Sequence, residues 1–283
     1  MSRNKTLTEA LLEGRKRLAH KENGGWDAMQ LLLAAAGCSR VYLMTEGNTE
    51  MTEEAAQKYA AFLNEREGGR PLQYILGECE FMGLPFFVGE GVLIPRADTE
   101  ILVETVLERA EREGLKTGLD LGTGSGCIPI SLEKVGGLTM TAVDISPRAL
   151  DYAQRNAARN EAGVRFLFGD LFHPLTEGET FDFIVSNPPY IPHGDLAALM
   201  EEVRDHEPEN ALDGGSDGLD FYRRILAESG PYLREGGWMF FEMGYDQGPA
   251  LMELMKEAGF VCVECRKDLA GLDRVVLGKR KEV

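Results

Sequence analysis

Asn187-Pro188-Pro189-Tyr190 follows directly on the apolar run Phe181-Asp182-Phe183-Ile184-Val185-Ser186, so a buried strand ends in an amide, two prolines and an aromatic ring. That combination suits a planar NH2 group. Such a group carries two N–H donors, and a pocket that holds it needs two acceptors. The Asn187 side-chain oxygen supplies one and the Pro188 carbonyl the other. Prolines at 188 and 189 lock φ and remove backbone donors, which keeps these carbonyls out of sheet pairing. Tyr190 adds a flat face for the planar group to lie against. A strand followed by an inert Pro-rich turn is the bland alternative for the same residues.

A second constellation lies upstream. Gly118-Leu119-Asp120-Leu121-Gly122-Thr123-Gly124-Ser125-Gly126 reads as a strand running into a glycine-rich turn that opens a helix. Glycines at alternate positions let backbone approach a ligand, and the helix N-terminus offers unpaired N–H groups. Asp144 closes the next apolar stretch, Leu138 to Val143, where a carboxylate can accept both ribose hydroxyls of a nucleoside. A nicotinamide site would show G-x-G-x-x-G, but position 127 is Cys and the pattern is G-x-G-x-G. Asp120, just before the turn, suits a cationic ligand better than a pyrophosphate. These residues point to S-adenosylmethionine, whose sulfonium and amino group are positive.

Acidic-x-G-x-G-x-G, a following acidic residue and N-P-P-Y together resemble the amino-group-methylating branch of class I methyltransferases. The wider chain resembles one family of that branch, the release-factor glutamine methyltransferases (PrmC or HemK family). Further matching segments are Phe81 to Phe86, Ile94-Pro95-Arg96, Val143 to Pro147, Glu207-Pro208, Gly218 to Arg223 and Asp268 to Gly278. The match spans roughly residues 70 to 280, and more loosely the helical N-terminus. The amine clamp is shared with DNA and RNA methyltransferases; the surrounding blocks make the match specific. Where the family commonly reads Ile-Pro-Arg-Pro-Glu-Thr-Glu, this chain has Ile94-Pro95-Arg96-Ala97-Asp98-Thr99-Glu100, a mild departure that retains Arg96 and Glu100.

The resemblance implies methylation at N5 of the glutamine in the Gly-Gly-Gln loop of class I peptide chain release factors. It also implies that Asp170 and Leu171 border the adenine, and that Phe81 and the Glu207-Pro208 segment wall the substrate pocket. Catalysis would rest on Asn187, Pro188 and Tyr190, with Pro189 as a further substrate contact. An amide nitrogen is a poor nucleophile because its lone pair is delocalised. It must be aligned behind the methyl at near-attack distance, with acceptors that favour the pyramidal nitrogen as charge develops. No strong general base is required. A ribosomal-protein glutamine methyltransferase would share every one of these residues. A nucleic-acid amino methyltransferase would share the clamp, and a non-catalytic binding module remains as a different class.

These residues need a scaffold. Residues 6–20 have helical spacing, with Leu7, Leu11, Leu12 and Leu18 near one face. Trp26 to Ala36 is apolar nearly all round, which places it in the middle of a small bundle, and Thr52-Glu53-Glu54 opens a third helix. Tyr74 to Val88 alternates and reads as a hairpin. From Pro95 strands alternate with helices, the pattern of an α/β fold with a mainly parallel sheet. Seven strands centre on 117–121, 139–143, 164–168, 181–186, 237–242, 260–265 and 273–279, the last two an antiparallel pair. This predicts a helical substrate-docking domain over 1–72, a hairpin linker over 73–92 and a Rossmann-like methyltransferase domain over 93–283. Ligands of such sheets sit beyond the carboxyl ends of the strands, where Gly122–Gly126, Asp144, Asp170 and Asn187 all fall.

Composition narrows the partners. Thirty Lys and Arg against 47 Asp and Glu leave a net charge of −17, without the basic patch that neutralises phosphates on nucleic acid. A basic protein substrate fits that balance better. No run approaches the roughly 20 apolar residues of a membrane span, and Met1 to Thr6 leads into no apolar targeting core. Cys38, Cys79, Cys127, Cys262 and Cys265 show no disulfide spacing, and the lone C-x-x-C would point its sulfurs to opposite faces of a strand. Neither they nor His20, His173, His193 and His206 form a metal set. A cytoplasmic enzyme without a metal is the expectation.

Overall fold

A computed structural model describes residues 5–282. The opening Met1-Ser2-Arg3-Asn4, part of the stretch read above for a targeting segment, lies outside the described residues. The chain divides into two compact units: the residues up to Gly77 with Glu201–His206, and Glu78–Met200 with the residues from Glu207 on.

The first unit is helical. α1 (Leu7–Arg17) opens on a capping box, in which Thr6 accepts from Glu9 N at 3.2 Å and Glu9 accepts from Thr6 N at 2.8 Å. α2 (Gly24–Ala36) packs against both α1 and α4 (Glu53–Glu67), which makes it the central helix. The short α3 (Arg40–Thr45) and α5 (Leu72–Leu76) add to the expected helices; α5 takes Tyr74 out of the expected hairpin, ending in left-handed Gly77. Leu12 is 60% exposed, because five residues after Leu7 it points about 140° away from it around the helix. Inside the unit Asp27 and Arg66 form a buried pair at 2.7 Å, and Glu202 joins Arg66 at 2.7 Å.

The second unit begins with the hairpin β1 (Glu78–Phe81) and β2 (Leu84–Phe87). Its two-residue turn, Met82-Gly83, has positive φ at both positions, as a tight hairpin turn requires. There follow α6 (Ala97–Glu113), β3 (Thr117–Leu121), α7 (Cys127–Gly136), β4 (Thr139–Asp144), α8 (Pro147–Arg159), β5 (Arg165–Phe168) and β6 (Phe181–Ser186). α9 (Glu201–Arg204), which belongs to the helical unit, α10 (Asp220–Glu228), β7 (Leu233–Glu242), α11 (Gly248–Glu257), β8 (Phe260–Lys267) and β9 (Asp273–Arg280) complete the chain.

The seven strands stand in the order β5-β4-β3-β6-β7-β9-β8; all neighbours are parallel except β7–β9 and β8–β9. The period of two sends Trp238 and Phe240 to one core and Met239 and Phe241 to the other, so the sheet is covered on both faces. The mainly parallel sheet with an antiparallel last strand is as expected. Cys262 and Cys265 lie on β8 as free thiols, Cys262 exposed at an irregularity in the ladder. No helix among the described residues is long and apolar enough to cross a membrane.

Candidate active site

The carboxyl ends of β3, β4, β5 and β6 border one cleft of about 1020 Å³, its open mouth included. The β3 end supplies Gly122 to Ser125, the β4 end Asp144, the β5 end Asp170 and Leu171, and the β6 end Asn187, Pro188 and Pro189. Parallel strands end on one side of a sheet, which is why residues so far apart in the chain meet here.

The glycine-rich turn is held by Val143, whose carbonyl accepts from Gly122 N at 2.9 Å and Thr123 N at 3.1 Å. Gly122 and Gly124 have φ of 74° and 56°; a Cβ on Gly122 would meet nothing within 4 Å, and one on Gly124 only Val92 at 4.0 Å. Their missing side chains leave room on the cleft side. Gly126 serves a different purpose, since a Cβ there would lie 3.2 Å from the Ala153 backbone, and it permits α7 and α8 to approach.

Asp120 is completely buried one residue behind the cleft wall, and neither carboxylate oxygen has a well-formed hydrogen bond. Burial pushes its pKa up to about 7, tempered by Thr123 and reinforced by the nearby charge of Asp144. A carboxylate left this way wants a cation. Asp144 accepts from Gly124 N and Ser146 N, both at 2.8 Å, which orients it. Burial raises its pKa and these backbone donors hold it down. The orphaned Asp120 carboxylate, the open glycine turn and the oriented Asp144 fit S-adenosylmethionine: a cation at one end, a nucleoside at the other.

Asn187 is half-buried, and its Nδ2 donates to Thr99 Oγ1 at 3.3 Å. Among the described residues the Pro188 carbonyl takes no backbone partner. The segment beyond is anchored through Ile191 N to Leu212 O at 3.0 Å and through Gln247 Nε2 to Tyr190 O at 2.9 Å. Asp170 lines the cleft while pairing with Arg224 at 2.7 Å, and Leu171 lines it at a φ of 47°.

Two expected substrate contacts are placed elsewhere. Phe81 is 1% exposed in the core, edge-on to Phe86, because the hairpin turns that face inward. The Tyr190 ring packs on the core under the sheet and is not part of the cleft wall; burial moves its hydroxyl up to about 12. Of the Glu207-Pro208 pair, Pro208 lines the cleft, whereas Glu207 turns inward to pair with Arg96 and to accept from Ile94 N at 3.4 Å.

Sequence reasoning did not single out Thr99, Asn156, Gln247 or Glu242. Asn156 ties the hairpin to the glycine turn, its Nδ2 donating to Phe87 O at 3.0 Å and Ser125 O at 2.9 Å. Glu242 could have been noticed, since a charged residue closing an apolar strand repeats the position of Asp144. His193, Glu209 and Asp213 bring possible ligand atoms within 4.8 Å of one another, but they are exposed or half-exposed and contain the His193–Asp213 contact at 2.7 Å. That cluster is an ordinary surface pair with a neighbour.

Comparison with known proteins places this geometry. Residues 9–77 match the family model described as the PrmC N-terminal domain, and residues 96–207 the methyltransferase small domain. A release factor glutamine methyltransferase of Geobacter sulfurreducens is 44% identical over 97% of this chain and 96% of its own length. One from Clostridium acetobutylicum is 43% identical over 90% of each chain. A crystal structure of a methyltransferase from Pyrococcus furiosus aligns with a TM-score of 0.54 at 22% identity, over 70% of this chain and 90% of that one, a likeness of fold.

Proposed function

The chain belongs to the release factor glutamine methyltransferase family, and from there we propose that it methylates the side-chain amide nitrogen (N5) of the glutamine in the Gly-Gly-Gln loop of class I peptide chain release factors. The observation that carries this reading is that Asn187 and Pro188, which offer a side-chain amide oxygen and a backbone carbonyl as acceptors, line the cleft that also holds the glycine turn. S-adenosylmethionine supplies the electrophilic methyl. Asp120, buried just behind the wall, would attract its positive end, the turn from Gly122 to Ser125 and the Asp170–Leu171 segment would bound its nucleoside, and Asp144 would receive ribose hydroxyls.

The chemistry then falls to the clamp. Two acceptors fix both N–H bonds of the primary amide, which aims the nitrogen lone pair at the methyl and removes the entropic cost of finding that alignment. As the nitrogen pyramidalises and its positive charge grows, the same acceptors bind it more strongly than they bind the planar ground state. The methylated nitrogen is acidic, so its proton can leave to water. Tyr190 contributes through its backbone, which positions the prolines, in place of the stacking face expected of its ring.

The helical unit, with its separate core, serves in this reading to dock the release factor. A substrate that works on the ribosome also goes with a cytoplasmic location. The decisive experiment incubates the protein with labelled S-adenosylmethionine and, separately, a release factor, the same factor with its loop glutamine replaced, ribosomal proteins and duplex DNA. Label on the intact release factor, lost with the glutamine replacement, is the expected result. Label on ribosomal protein or DNA would assign the same clamp to another amine.

A further inference from the structure

We propose that Glu242, acting together with Thr99, sets the orientation of the Asn187 amide, so that Oδ1 faces the cleft and Nδ2 faces inward. Glu242 is thus a positioning residue for the amide-methylating reading given above, on which this inference rests. An asparagine amide is nearly symmetric in shape, and only its partners decide which end points where. If Nδ2 faced the cleft, two donors would meet the two donors of the substrate amide and the clamp would repel its ligand.

The inner partners are fixed by the sheet. β6 and β7 are parallel with Ser186 opposite Phe241, so the next positions along, Asn187 and Glu242, are neighbours. Glu242 is 1% exposed, and its Oε2 is buried without a partner. Thr99, 2% exposed on α6, accepts from Asn187 Nδ2 at 3.3 Å. The Thr99 hydroxyl and the Asn187 NH2 both lie close enough to the Glu242 carboxylate to hold its pKa down. An ionised carboxylate only accepts, so it turns the Thr99 hydroxyl and the Asn187 NH2 towards itself and leaves Oδ1 for the cleft. A protonated one could donate, and the selection would be lost.

Burial drives the Glu242 pKa up to about 7, against the nearby Thr99 hydroxyl, the charge of Arg274 and the Asn187 amide. The groups around it are Asp98 and Thr99 on α6, Cys127 opening α7, Tyr190 beyond β6, Tyr222 on α10 and Arg274 on β9. Asp98 and Arg274 are themselves paired at 3.2 Å, which limits the net charge either presents. Tyr222 donates to the Glu242 backbone carbonyl at 2.8 Å and holds the strand end in place.

The test is steady-state methylation of a release factor by E242Q, T99V and T99S, with cofactor affinity measured separately by calorimetry. In E242Q the new side-chain amide keeps one acceptor and adds a donor facing Asn187 Nδ2. This variant should lose on the order of tenfold or more in kcat, as expected for a misaligned reacting group, with cofactor affinity nearly unchanged. T99V should resemble it and T99S should recover most of the rate. With both substrates saturating, wild-type kcat should fall as pH drops through about 7, and E242Q should lack that limb. Full kcat and a wild-type pH profile in E242Q, or equal losses in kcat and cofactor affinity, would overturn the positioning role alone. Should E242Q fail to fold, the T99V and T99S pair decides by the same criterion. A wild type that labels no release factor would remove the underlying reading and this inference with it.

Discussion

At the scale of single residues the site separates cofactor binding from turnover. Asn187→Ala should remove most of kcat while the affinity for S-adenosylmethionine falls little, since in the proposed mechanism Asn187 acts on the amide nitrogen; calorimetry beside steady-state assays checks the split. Asp120 predicts the opposite division. Its pKa stands near 7 in the folded apo protein and near 4 in an unfolded chain, so the native state holds the extra proton between those values. The sign follows: apo stability falls as pH rises from about 4 to about 7, because only the unfolded carboxyl ionises freely there. Binding of a cation favours the ionised form, so cofactor affinity should rise with pH through the same upper limit. Asp120→Asn should flatten both dependences and weaken cofactor binding on the order of tenfold. A variant with unchanged affinity and an unchanged slope would show that Asp120 does not face the cation.

At the scale of elements, the strand ends work only because cross-links hold the loops that follow them. Gln247, just before α11, joins two of them, the long connection after β6 and the loop after β7: its Nε2 donates to Tyr190 O at 2.9 Å and Gly218 O at 3.2 Å, and its Oε1 accepts from Gly244 N at 2.9 Å. A Cβ on Gly218 would sit 2.3 Å from the Tyr190 carbonyl, and its φ is 74°, so glycine is needed for that approach. Gln247→Leu leaves buried carbonyls without their donor and should cost about 2 kcal/mol or more, read as a lower urea midpoint at unchanged m-value. The same variant should lower kcat by loosening the proline segment. Much of this level was legible in advance. The helices α1, α2 and α4 and the seven strands follow from local periodicity and caps. The short α3 and α5 escaped because one or two helical turns carry too few residues to display a period.

At the scale of the whole molecule, the two units keep separate cores. The helical unit is small and contains the buried Asp27–Arg66 pair, with side chains 5% and 7% exposed. Asp27→Ala takes away the buried partner of the guanidinium and leaves it the half-exposed Glu202 and the Arg70 carbonyl. It should destabilise that unit by about 3 kcal/mol, seen as a separate early transition on urea unfolding, while cofactor binding in the sheet unit is retained. If the helical unit docks the release factor, KM for that substrate should rise in the same variant. The net charge of −17 belongs to this scale as well, and in the proposed reading it goes with a basic protein substrate.

The sequence by itself determined residues that line the cleft: a strand ending in Asn-Pro-Pro, a strand ending in a glycine turn, and a carboxylate closing the strand between. These are contiguous or end-of-strand features, and backbone conformation alone brings them to one side of a parallel sheet. Tertiary structure alone decided what stands behind them. Thr99 and Glu242 flank Asn187 because α6 and β7 pack beside β6, an adjacency that no spacing in the chain encodes. The same holds for Phe81, which the motif placed at the pocket and the fold of the hairpin buried. Asp120 needed the fold too, since its raised pKa comes from complete burial, a property of packing that residue type cannot express.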